Sequence, residues 1–143
     1  MQEGLAIKGY VQVWGANKKL LAEGSNLVVN SGLELLAQRI QGISVELPSL
    51  FRFGTSSAST LSTMTGLQGE TIFQAQAEVT RDGAELIWTW EGDYGNASSA
   101  KIGEIGIFNT AGTMLARFVP IPAFNLNPSA HLKITWKIKI GGY

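Results

Sequence analysis

The chain has 143 residues, 45% of them hydrophobic and only 15% charged, with 11 basic residues against 11 acidic and a pI near 6.6. That length holds one domain with a sizeable core, and the even charge argues against a protein built chiefly to neutralise nucleic-acid phosphates. Cysteine is absent, which excludes disulfides, thiolate catalysis and cysteine metal sites, and no apolar run reaches the length of a membrane-spanning helix.

The opening residues, MQEGLAIKGY, lack a charged segment followed by an apolar one, so no secretory signal is expected and assembly in a cytoplasm is. Residues from Ala6 to Trp14 alternate loosely as a strand, and Gly15-Ala16-Asn17 turns the chain toward Lys18 and Ala22. The segment GSNLVVNSGLELLAQRIQG holds the one expected helix. Ser31 followed by Glu34 reads as a capping box. Leu33, Leu36, Ala37 and Ile40 form an apolar stripe at helical spacing, and Gly42 is placed to end the helix.

Leu50 to Gly54 is a short strand. Thr55 to Gly69, TSSASTLSTMTGLQG, is rich in hydroxyl side chains and reads as a long surface loop, either an interaction segment or a plain connection. QAQAEVTR and AELIWTW flank Asp82-Gly83, a type I′ hairpin signal, with Leu86, Trp88 and Trp90 sharing one face. IGEIGIF and TMLARF flank Asn109 to Gly112 as a second hairpin, and NLNPSA is a loop. From Leu132 to Ile140 the residues alternate strictly, with Leu, Ile, Trp, Ile and Ile on one side and Lys133, Thr135, Lys137 and Lys139 on the other. About eight or nine strands and one short helix predict a mainly β fold, a jelly-roll-like β-sandwich forming a single domain over 1–143.

Groups able to do chemistry are sparse. His131 is the single histidine, and nothing beside it in the sequence supplies an orienting carboxylate or a nucleophile. Asp93 lies in EGDYGN, which has an outward likeness to a calcium loop but lacks the spaced oxygens and the closing glutamate, so no metal is expected. Glu104 interrupts an apolar strand and needs a partner. Arg117, across the predicted hairpin, supplies it, so Glu104 and Arg117 read as a structural ion pair. A glycosidase would need a second acid in a cleft. Lys133, Lys137 and Lys139 form a basic stripe, either a solvated face that discourages edge-to-edge pairing or a contact for an acidic partner. Three of the tryptophans, on apolar strand faces, read as core rather than as sugar-stacking platforms. Neither catalysis nor a cofactor is expected.

The order of four segments is informative. Gly24, Asn26, Val28 and Gly32 open the helix; Gly54-Thr55 begins the strand-loop; Glu104 to Phe108 forms the E-I-G-I-F hairpin; Leu132 to Ile140 closes the chain. This layout resembles structural proteins of tailed bacteriophage particles, over most of the chain from Gly24 onward. It resembles small β-sandwich head decoration (cement) proteins, and its hairpin also resembles the attachment domain of phage tail fibres. A fibre attachment domain would continue into a shaft, and none is expected here after the last strand. The resemblance implies a non-enzymatic virion protein that binds the major capsid protein or other virion proteins, as a homotrimer, without nucleic acid or membrane. Residues 1–10 would then serve as a docking arm. A tail or baseplate adaptor is the alternative, and a carbohydrate-binding module a second one.

Overall fold

The computed structural model describes residues 7–141. In chain order the first elements are β1 (Ile7–Trp14), a 3-10 turn (Ala16–Lys18), β2 (Leu20–Val28), α1 (Asn30–Ile40) and β3 (Leu50–Gly54). β4 (Thr71–Gln76), β5 (Glu78–Asp82), β6 (Glu85–Asp93), β7 (Ala100–Ile102) and β8 (Glu104–Phe108) follow. β9 (Met114–Phe118), β10 (Phe124–Leu126) and β11 (His131–Ile140) complete the chain. Nine strands form one antiparallel sheet in the order β4-β3-β8-β9-β2-β1-β11-β6-β5, while β10 and β7 pair separately.

Two corners fold this sheet into a β-sandwich that is nearly a closed barrel. At the first, β2 pairs with β1 up to Asn26 and then with β9 through Leu27 and Val28 alone, so it belongs to both layers. At the second, the two edge strands β4 and β5 are joined through the single residue Ala77. The expected single strand QAQAEVTR therefore divides. Ala77 is buried, and its N–H donates to the Ser49 carbonyl at 2.8 Å, which fixes the point where the chain changes layers.

Aromatic rings fill the space between the layers. Trp136 of β11 stacks on Phe51 of β3 at 6.0 Å between centroids and meets Phe118 of β9 edge-on. Such pairs add to the large apolar area that each ring already removes from water. Val11, Val13, Ile134 and Ile138 complete the alternating inner face of β1 and β11.

The two expected hairpins are present. In β5–β6, Asp82 pairs with Glu85, so the central turn residues are Gly83 and Ala84 rather than Asp82 and Gly83. Among these only Gly83 has a positive φ, +61°. Glycine at the first central position is the chemistry of a type II′ turn, not of type I′. In β8–β9, every residue of both strands is buried. The loop Thr55–Gly69 lies over the outer face of this hairpin, where Met64 and Leu67 pack on Phe108 and Met114. That cover is why the hairpin reads as near-continuous apolar runs and not as alternation.

The helix forms over the expected residues, but of the expected stripe only Leu36 packs on the core. Gly32 and Leu35 are its buried residues, whereas Leu33 is 42% exposed and Ile40 89%. The reason is the docking of its first turn on β9. The Val29 N–H donates to the Leu115 carbonyl at 3.1 Å, and the Ser31 hydroxyl donates to the Met114 carbonyl at 2.7 Å. A Cβ on Gly32 would lie 2.2 Å from the Leu115 oxygen, so only glycine lets the helix sit this close. Ser31 is therefore a docking donor; the N-cap is Val29, with no side-chain cap. Gly42 does follow the helix end with φ +91°. The expected loop 125–130 begins inside β10.

Candidate functional site

The pair Glu104 and Arg117 forms the chemical centre of the β8–β9 face. Arg117 Nε donates to Glu104 Oε1 at 2.9 Å, and neither side chain has any exposure. Around it the Thr55–Gly69 loop is bound from both sides. Backbone N–H groups of Ser56, Gln68 and Gly69 donate to the Glu104 carboxylate at 3.1, 2.8 and 2.7 Å. The Arg117 guanidinium donates to the carbonyls of Ala58 and Ser56 and to the Thr60 hydroxyl. A buried carboxylate and guanidinium are tolerable only when their remaining lone pairs and protons are met in this way. The loop that the sequence presents as a surface connection is thus an ordered cover, nailed down by two charges.

The basic stripe occupies a different environment from the one expected. β11 lies between β1 and β6, so its lysines guard no sheet edge. Lys133 stands opposite Trp14 on one side and Glu91 on the other, and Lys139 stands opposite Lys8 and Glu85. Lys137 is exposed between Tyr10 and Ile87. Carboxylates of β6 therefore interleave with this stripe, and the face is mixed in sign rather than basic.

His131 is the chief correction to the sequence reading. Its Nδ1 lies 2.8 Å from Asp93 Oδ1 and its Nε2 lies 3.0 Å from Glu91 Oε2. Hydrogen bonding to Asp93 first, and then to Glu91, raises the imidazole above its ordinary 6.5. Orienting carboxylates thus do exist, one for each ring nitrogen. Because they sit on opposite sides of the ring, they cannot converge with it on one metal ion. Among the described residues no group of three or more such side chains is placed to hold a metal. Glu91 and Asp93 are two apart on one strand and so share a face; that period was the signal available in the sequence.

Of the four tryptophans, Trp136 and Trp88 are core, and Trp90 packs on the core with its ring 5.4 Å from Phe73. Trp14 differs. It lies on the outer face of β1, with Lys133 Nζ 5.9 Å from its ring centroid, and it lines an open groove of about 500 Å³. Of the expected docking arm, residues 7–10 are part of β1, paired to β2 and β11, and residues 1–6 lie outside the described residues. Comparisons with protein-family models, with curated proteins and with solved structures find no match to this chain.

Proposed function

We propose that this chain is a non-enzymatic virion structural protein, a capsid decoration (cement) protein that binds the outer surface of a phage head and stabilises it. The observation that carries this reading is a set of exposed apolar side chains on a weakly charged domain. Ile40 and Ile121 are 89% and 88% exposed, and Leu27, Leu33, Ile43 and Leu47 are exposed as well. Leu27 and Ile121 line a groove of about 620 Å³ together with Ser57, Ser59 and Thr60 of the pinned loop. Apolar side chains exposed beside an ordered polar loop suit burial against another protein. Contacts to several capsid subunits at once, and to sister copies in a trimer, turn modest single contacts into tight attachment.

A tail or baseplate adaptor is the second reading, because the E-I-G-I-F hairpin also resembles fibre attachment domains. The test is the temperature at which phage particles release their DNA. Particles stripped of the protein should release it at lower temperature, and added purified protein should restore the original value. Unchanged release, with the protein failing to rebind the head, contradicts the cement role.

A further inference from the structure

We propose that the outer face of the β1–β11–β6 layer carries a binding site for an uncharged hexose-based oligosaccharide, with Trp14 as its stacking platform. This inference stands apart from the cement reading and rests on different residues.

Two grooves meet on this face. One, of about 500 Å³, is bounded by Trp14, by Asn17 and Lys18 of the 3-10 turn, and by His131. The other, of about 530 Å³, is bounded by Gln76, Glu78, Thr89 and Trp90. They share the side chains of Glu91 and Lys133, which makes one trough running across the strands. Volumes of this size suit a ligand of several rings.

The order of groups along the trough follows from the register. Trp14, Lys133 and Glu91 are successive cross-strand neighbours, so each stands one strand spacing, about 4.8 Å, from the next. The Lys133 ammonium lies over the indole, 5.9 Å from its centroid, so a pyranose ring that stacks there takes its place, with that ammonium and the Glu91 carboxylate as hydrogen-bonding partners. Trp14 lies on the outer face of β1; Trp88 and Trp136 are buried, and Trp90, partly buried against the core, also borders the second groove.

Charge selects the ligand class. Lys18 and Lys133 are offset by Glu78 and Glu91, and His131 is held between Asp93 and Glu91. A polyanion such as a nucleic acid or a polyuronate would meet as many carboxylates as ammonium groups. A sugar hydroxyl both donates and accepts, so it is matched by carboxylates alternating with ammonium groups, amides and the Thr89 hydroxyl. Asn17 and Lys18, with φ of 59° and 58°, are the two central residues of the β1–β2 hairpin turn, which sets them at the end of the trough.

The experiment is a titration of the protein with soluble maltohexaose, cellohexaose and mannohexaose, and with a galacturonate hexamer as the acidic comparator. Binding is read by intrinsic tryptophan fluorescence and by backbone amide shifts. The expected result is that a neutral hexamer moves the amides around Trp14, Lys133 and Glu91. Trp14→Ala should weaken that binding by about tenfold or more, with the far-ultraviolet dichroism unchanged. Glu91→Gln, a change at an exposed carboxylate, should weaken it as well. The proposal is overturned if no neutral hexamer binds at millimolar concentration. Unaltered affinity in both variants, or tighter binding of the galacturonate hexamer, overturns it too.

Discussion

Glu104 and Arg117 meet at 2.9 Å on the outer face of the β8–β9 hairpin, sealed from solvent by the loop they themselves hold in place. Four N–H donors converge on the two Glu104 oxygens. An amide at that position would offer one accepting oxygen and turn an NH₂ group toward other donors. Glu104→Gln should therefore destabilise the fold by about 3–5 kcal/mol, the cost of leaving a buried guanidinium without its counter-charge. Urea unfolding measures this, and limited proteolysis should show faster cleavage within Thr55–Gly69. Pairing it with Arg117→Leu should cost less than the sum of the two single changes. Strict additivity would show that the two residues are not coupled.

A second coupling joins three strands. Asn26 of β2 reaches across Gly9 of β1, and its Oδ1 accepts from the Trp136 indole N–H of β11 at 3.1 Å. A Cβ on Gly9 would fall 1.7 Å from that oxygen. Asn26→Ala should cost about 1–3 kcal/mol by leaving a buried indole N–H unpaired. Gly9→Ala should also destabilise, and it should do so less in the Asn26→Ala background, where the space has been vacated. A double-mutant cycle by chemical denaturation checks the sign of this coupling.

How much of this was legible in the sequence depends on which faces are wet. β11 alternates because one of its faces meets solvent, so its strand character is visible in Leu132, Ile134, Trp136 and Ile138 alone. β8 and β9 are buried on both faces, and only the charges Glu104 and Arg117, out of place in apolar runs, reveal what crosses there. The helix misleads because a glycine carries its closest contact: Gly32 against Leu115 has no hydrophobic signature, whereas exposed Leu33 and Ile40 do. The layer switch at Ala77 and the Gly83 turn differ from expectation by small shifts that side-chain type does not encode. His131 gains its carboxylates only when β6 and β11 pair, a long-range event.

The helix interface gives a prediction of contrast. Leu35→Ala, which removes a buried side chain beneath α1, should cost about 2–4 kcal/mol. Ile40→Ser, at a position 89% exposed, should stay within about 0.5 kcal/mol of the parent. Thermal unfolding of the two variants side by side checks the assignment of the inward face, and a reversed order contradicts it.

His131 makes stability depend on pH. Asp93, and then Glu91, hold its folded-state value above the ordinary 6.5. A raised folded value means the contribution is complete below the unfolded value and is lost as pH rises through the folded one. Melting temperature should accordingly fall as pH rises above about 6.5, and His131→Gln should remove that part of the slope. An NMR titration of the imidazole should give a midpoint above 6.5; a midpoint at or below it contradicts the geometry.

The central claim is the place of this domain on a particle. Counting its copies by quantitative mass spectrometry in purified phage particles, against the major capsid protein as internal standard, tests it most directly. A cement protein should be present in hundreds of copies, in fixed proportion to the capsid subunit. A dozen copies or fewer would contradict that role and put the domain at the tail.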